Sequence, residues 1–268
     1  MNNITLIDTH VHYYKFCEMP EFFDSAYTNF RNAANDLGAS SFTPVMYLLE
    51  TGGSHSYQTL LSIAESSSNM GKWMIKPIDD NQSLILTKSK GQELLVLSGK
   101  QVITRENLEV IIIGLCDEVP NNKGIEFYLN EYSDLYLVIL PWGVGKWLGA
   151  RGRIINDLLK KKGNIPFVLG DNSGRTALWS RISQFQLARS LGINILPGSD
   201  PLPISGQYKK VASFGSVIQG SLETKGILKQ VRNKLLKGNG DLLGTYGEVD
   251  GLVNFLLSQI LLRISPIR

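Results

Sequence analysis

The sequence predicts an α/β fold, a distorted (β/α) TIM-like barrel, on three observations. Short β-rich runs alternate with stretches of helical period. The runs are continuously apolar, as strands covered by helices require. The residues able to do chemistry fall just after those runs, where an α/β barrel gathers its functional loops. A chain of 268 residues suits one such barrel, since these commonly take about 200–250 residues. One domain over 1–268 is therefore expected.

Taken in order, "ITLI" (Ile4–Ile7) is the first strand, followed by a helix around Glu21–Leu37. "SFTPVMYLL" precedes a second helix over Ser56–Met70. Later, "DLYLVILP" leads to a helix near Leu148–Lys162, and "IPFVLG" to one near Leu178–Leu191. "INILPG" comes before C-terminal helices within 220–268. Between them, 72–115 breaks the rhythm: several strand-like runs are separated by turn signals such as "DDNQ" and "KSKGQ". That stretch is expected to be a β-meander inserted into the barrel.

Composition narrows the function class. With 43% apolar and 19% charged residues, the chain can bury a full core. Twenty-seven basic against 24 acidic residues give a net charge of +3. That is too balanced to argue for nucleic acid, and no basic stripe interleaved with aromatics appears. Cys17 and Cys116 form no CxxC motif, which points to a reducing compartment, the cytoplasm. The start "MNNITLIDTH" lacks the basic and long apolar segments of a signal peptide. The tail "GLVNFLLSQILLRISPIR" is broken by Asn254, Ser258, Gln259 and Arg263, so it reads as an amphipathic helix and not a membrane span. Its Leu/Ile stripe is expected to be core or a homo-oligomer contact.

The chemistry centres on "LIDTHVHYY". Residues i and i+2 of an extended segment project to one side, so Asp8, His10 and His12 are expected to share a space beyond the first strand. Glu50, Thr51 and His55 follow the second strand, Asp171, Asn172 and Arg175 follow "IPFVL", and Asp200 follows "INIL". All three histidines thus sit at one expected rim. Imidazole and carboxylate donors suit zinc, manganese or iron, and water bound to such an ion loses a proton near neutral pH. One or two ions are expected. Lys146 and Arg175 can neutralise a phosphate or carboxylate, and Trp142 can wall the pocket. Blander readings stand beside these. His55 also fits a surface loop, "GDNSGR" a helix-entry turn with an anion site, and Asp200 an Asx turn before Pro201.

These motifs have a family likeness. "IDTHVH" resembles the first metal motif of amidohydrolase-type barrels, and more closely that of the PHP family (polymerase and histidinol-phosphatase domains). "LLET" stands where that family has Thr-Asp-His, "LSGKQVITRENLEVIIIGL" resembles its hairpin, and "VILPWG" takes the place of Ala-His-Pro. "VLGDNSGR" stands at Glu-x-x-Asn and "LPGSDPLP" at Gly-Ser-Asp-x-His. The wording "PWGVGKW", "GDNSGR" and "PGSDPLP" is similar to that of a divergent cyanobacterial-type group. The resemblance implies a PHP-type barrel and metal ligands at His10, His12 and Asp200, with Glu50 in the place of the Thr-Asp-His aspartate; the basic Lys146 and Arg175 are what suggest a small anionic substrate. Gln101 stands where the hairpin has Glu, and several family histidines are replaced, so a three-metal site is not implied.

The reading that follows is a metal-dependent hydrolase, tilted toward phosphoesters, working through a hydroxide on the metal. His10, His12, Asp200 and Glu50 would hold the metal. Asp171 or Asp200 would accept a proton, while Lys146, Arg175, Trp142 and His55 would meet substrate. The alternative is a catalytically degenerate barrel that binds or regulates.

Overall fold

The computed structural model describes residues 3–78, 81–89, 91–161, 165–176, 181–236 and 241–264. It is a mixed α/β structure whose strands form one sheet. Parallel units open the chain: β1 (Asn3–Val11), α1 (Met19–Asp36), β2 (Ser41–Glu50) and α2 (Ser56–Glu65). The second helix stops well short of Met70. Ser66–Ser68 compete for backbone hydrogen bonds, and Asn69–Met70 becomes the short strand β3.

The 72–115 stretch does form antiparallel strands: β4 (Trp73–Ile78), β5 (Ser83–Lys88), β6 (Gln92–Ile103) and β7 (Glu109–Ile113). β4 and β5, with β3, are an addition off the main sheet path, but β6 and β7 are not. β6 pairs along one edge with β2 in parallel, and along the other first with β5 and then with β7. β6 and β7 are therefore part of the wall.

Parallel units resume with α3 (Ile125–Tyr132), β8 (Leu137–Pro141), α4 (Gly149–Lys160), β9 (Val168–Asn172), α5 (Ser183–Ser190) and β10 (Ile195–Gly198). The expected helix start at Leu178 and the end of another at Lys162 lie outside the described residues. β11 (Gly215–Gln219), α6 (Ile227–Leu236), β12 (Leu242–Tyr246) and α7 (Leu252–Ile264) complete the fold, so 220–268 contains a strand as well as helices.

The main sheet path runs β10-β9-β8-β7-β6-β2-β1-β11-β12 and curls until β10 meets the upper half of β1. Asp200 N donates to His10 O at 2.8 Å and Thr9 Oγ1 to Pro197 O at 3.0 Å across that seam. A nearly closed, barrel-like sheet results, with seven helices among the described residues. The antiparallel β7 and β11 depart from regular (β/α) alternation.

Alternation along the strands sorts the core. Ile7, Tyr47, Leu97, Ile111, Ile139, Val168 and Leu196 fill the barrel interior, closed at one end by Ile227, Val231 and Leu235 of α6. The intervening residues, such as Leu6, Met46, Leu48 and Val96, pack outward with α1 and α2. Val110, Ile112, Val138, Leu140 and Leu169 do the same with α3, α4 and α5. Burial of this kind contributes roughly 1.5–3 kcal/mol per large side chain.

Candidate metal centre

A β-bulge makes the site. Between Asp8 and Val11, β1 advances three residues while β2 advances two, from Met46 to Leu48. The extra residue switches the alternation. Ile7 faces the interior before the bulge, and His10 and His12 face it afterwards, while Val11 joins the outer core. Asp8 does not share the histidines' space, contrary to the i, i+2 expectation. It is fully buried and accepts from Ser199 N (2.9 Å), Ser199 Oγ (2.5 Å), Ala212 N (2.8 Å) and His10 N (3.2 Å). Burial pushes its carboxyl up to about 6 against the pull of those donors. Asp8 thereby ties β10, and with it Asp200, to β1.

Two features bring Asp200 in. Gly198 faces His10 so closely that a methyl group there would overlap His10 Cβ and lie 2.8 Å from its backbone nitrogen. Asp200 itself has φ of +42°, a left-handed conformation that costs an L-residue about 1–2 kcal/mol. Such strain, held by surrounding structure, gathers at functional sites.

His10 Nε2 and His12 Nε2 lie 3.1 Å apart, and His10 Nε2 lies 3.5 Å from Asp200 Oδ1. One donor atom from each of the three residues falls within 4.8 Å of the others. Donors about 2.0–2.1 Å from a shared cation sit roughly 3.0–3.5 Å from one another, and the His10–His12 and His10–Asp200 spacings of 3.1 and 3.5 Å are of that size.

The hydrogen-bond partners fix which ring nitrogens are free. Asn172 Nδ2 must donate to the Asp200 carboxylate (2.7 Å), which turns Asn172 Oδ1 toward His10 Nδ1 at 3.1 Å. His10 Nδ1 therefore bears the proton. His12 Nδ1 faces the Leu49 carbonyl at 3.2 Å, an acceptor only, so it too donates. Both Nε2 atoms are then left with a bare lone pair, 3.1 Å apart. Such lone pairs repel; a shared cation resolves them. Gln101 Oε1 adds a further oxygen 3.1 Å from His12 Nε2. Burial, reinforced by neighbouring His10, lowers the His12 pKa to about 4, so its imidazole is held neutral. Tyr14, its ring 6.0 Å from that of His12, has its hydroxyl pushed up by burial and then by Asp200 and Glu109.

Several expected site residues lie elsewhere. Glu50 is on the outward parity of β2. It accepts from Tyr57 N (2.8 Å) and Gln58 N (3.1 Å) at the start of α2, and pairs with Lys100 at 2.9 Å. It is a helix cap within a buried ion pair, not a ligand. Asp171 also faces outward, held by Arg175 through Nε (2.6 Å) and Nη2 (2.9 Å). That removes Asp171 as proton acceptor and occupies Arg175. Trp142 is buried in the outer core with Trp147 and does not wall the mouth. His55 is exposed just before α2, with no side-chain cap hydrogen bond. Lys146 is ion-paired with Glu109, which shares the mouth with Tyr14 and Asp200. Gln101 and Asn172 were absent from the expected site. The signal that finds them is strand parity: each stands two residues beyond an interior glycine, Gly99 and Gly170.

No protein-family model matches the chain, and no curated protein matches it in sequence. Solved structures do. PsfC from Pseudomonas syringae PB-5123 superposes with a TM-score of 0.55 at 13% identity, over 97% of this chain and 98% of its own. The lesion-specific endonuclease PfuEndoQ from Pyrococcus furiosus gives 0.55 at 12% identity, over 91% of this chain and 59% of its own. The chain thus spans somewhat more than half of that endonuclease. Both likenesses describe the fold. Among the described residues, no helix is long and apolar enough to cross a membrane.

Proposed function

We propose that this chain is a PHP-like, metal-dependent hydrolase working with one divalent transition metal ion at His10, His12 and Asp200. The observation behind this reading is the convergence of two imidazole Nε2 atoms whose Nδ1 positions are both committed as donors. Zinc, manganese and iron all suit two imidazoles and a carboxylate. Such an ion acidifies water and polarises a phosphoryl or carbonyl oxygen when bound.

The chain's own residues do the rest. Asn172 orients the Asp200 carboxylate, which is placed to accept a proton at its oxygens. The Leu49 carbonyl positions His12 from the far side, and Gln101 Oε1 stands beside Nε2 as a further neutral oxygen for the ion. Lys146 would meet the anionic part of the substrate only by exchanging its partner Glu109 for it. A phosphoester is the substrate class we favour, since PfuEndoQ, an endonuclease, shares the fold. Nucleic acid belongs in the substrate screen for the same reason. A second reading, a barrel that binds without turnover, draws on the two amides at the site. Gln101 and Asn172 supply no charge where a multi-metal site needs carboxylates.

Elemental analysis of the purified chain tests the centre. About one equivalent of transition metal is expected, and none in His10→Ala/His12→Ala. Hydrolysis of bis(p-nitrophenyl) phosphate, p-nitrophenyl phosphate and duplex DNA by the metal-loaded chain then separates the two readings. Metal that is retained by the chain and lost in the variant counts against the binding barrel, and turnover of any of these substrates removes it. No metal in either protein after soaking with zinc and manganese defeats the hydrolase and favours the binding barrel.

A further inference from the structure

The C-terminal helix presents more apolar surface than its own fold covers. On its inner side α7 buries Phe255 and Ser258, and Ser258 Oγ accepts from Gln207 at 3.4 Å. The approach to the helix is fastened to the barrel rim: Asp250 N donates to Ser173 O at 2.8 Å, and Asp250 pairs with Lys210 at 2.5 Å. The outer side is different. Val253, Leu257, Ile260 and Ile264 are 69, 52, 53 and 68% exposed, and Leu256 and Leu261 beside them are 50 and 42% exposed.

The first four follow one another at intervals of four, three and four residues, the seam by which one helix packs knobs into the holes of another. Six such side chains present roughly 500 Å² of apolar surface, near the upper limit for a monomer. That is most of the ~800 Å² per partner that a stable interface buries. The seam has no charge, and Arg263 is the one charged residue of the helix. A lipid surface would call for a cationic flank and interfacial Trp or Tyr, and α7 has neither. An uncharged, self-complementary stripe suits an isologous two-fold contact.

We infer that α7 is the interface through which a second copy of this chain docks, helix against helix. Asp250 is bonded to Ser173, the neighbour of Asn172, so this interface lies beside the mouth of the metal centre.

Sedimentation velocity on the full chain at micromolar concentration tests it. A dimer is expected, with a thermal midpoint that rises with protein concentration. Leu257→Glu/Ile260→Glu should weaken association by at least about 100-fold and abolish that concentration dependence. Its circular dichroism should be unchanged, because both positions face outward. Should that variant misfold, Leu256→Lys probes the same edge with one substitution and should also shift the equilibrium to monomer. A wild-type chain that is monomeric throughout overturns the inference, whether or not it floats with phosphatidylcholine/phosphatidylglycerol vesicles. A folded variant that remains dimeric overturns it too.

Discussion

Asp171 and Asn172 are neighbours on β9, and Lys100 and Gln101 are neighbours on β6, yet each pair divides between two environments. The outward members are charged and satisfied: Lys100 is locked to Glu50, and Asp171 to Arg175. The inward members are neutral amides, and they surround two imidazoles and a carboxylate whose donor atoms converge. The charge-rich face is thus the structural one, fastening strand ends to helices. The chemistry gathers on the face with fewer charges and more uncommitted lone pairs. Charge at a strand end is poor evidence of function until its direction is known.

Substitutions on the two faces should therefore fail in different ways. The largest effect is expected on the outer face. Lys100→Met strands Glu50, 2% exposed, without its cation, and should cost about 3–5 kcal/mol of stability. Urea denaturation would read that loss, and the metal content of the folded protein should not change. On the inner face the order reverses. Asp200→Asn should weaken metal binding by about 100-fold, since a ligand charge is removed. Because Asp200 is partly exposed, its thermal midpoint without metal should move little. If Lys100→Met instead emptied the metal site at full stability, the division between the faces would be wrong.

Much of this architecture was legible in the sequence. Apolar runs, helical periods and rim chemistry marked the barrel, and "IDTHVH" marked the histidine pair. What could not be read was direction. The bulge after Asp8 reverses parity without leaving any mark in composition, so Asp8 appeared to join His10 and His12 when it faces away. The family resemblance points to Glu50 and the rim position to Asp171, while the sequence offers Gln101 only as the replacement of a family Glu and Asn172 only as a rim or helix-entry residue. Counting parity back from the barrel-filling residues, Leu97 for Gln101 and Val168 for Asn172, would have reversed both choices. The wall role of β6 and β7 was hidden for another reason: their pairings with β2 and β8 depend on long-range closure, not on local pattern.

Asn172→Ala sharpens the comparison further. It removes the donor to Asp200 and the acceptor from His10 Nδ1 together, so both ligands lose orientation. Supports of this kind typically matter 10- to 100-fold, and about a 10-fold loss in metal affinity is expected by competition with a chelating dye.

The smallest effect falls on Asp171, the residue before Asn172, through its partner Arg175. Arg175→Ala leaves Asp171 with its side chain about 10% exposed and its two guanidinium hydrogen bonds gone. Partial solvent access lets water replace some of what is lost, so about 1 kcal/mol of stability should disappear. Metal affinity should stay within about twofold, because Asp171 points into the outer layer. The adjacent Asp171 and Asn172 then give opposite signatures, metal affinity lost when the Asn172 amide is removed and stability lost without affinity when Asp171 loses Arg175. A drop in metal affinity with Arg175→Ala would mean that the outer ion pair holds the β9 rim in place, and that the two faces act as one unit.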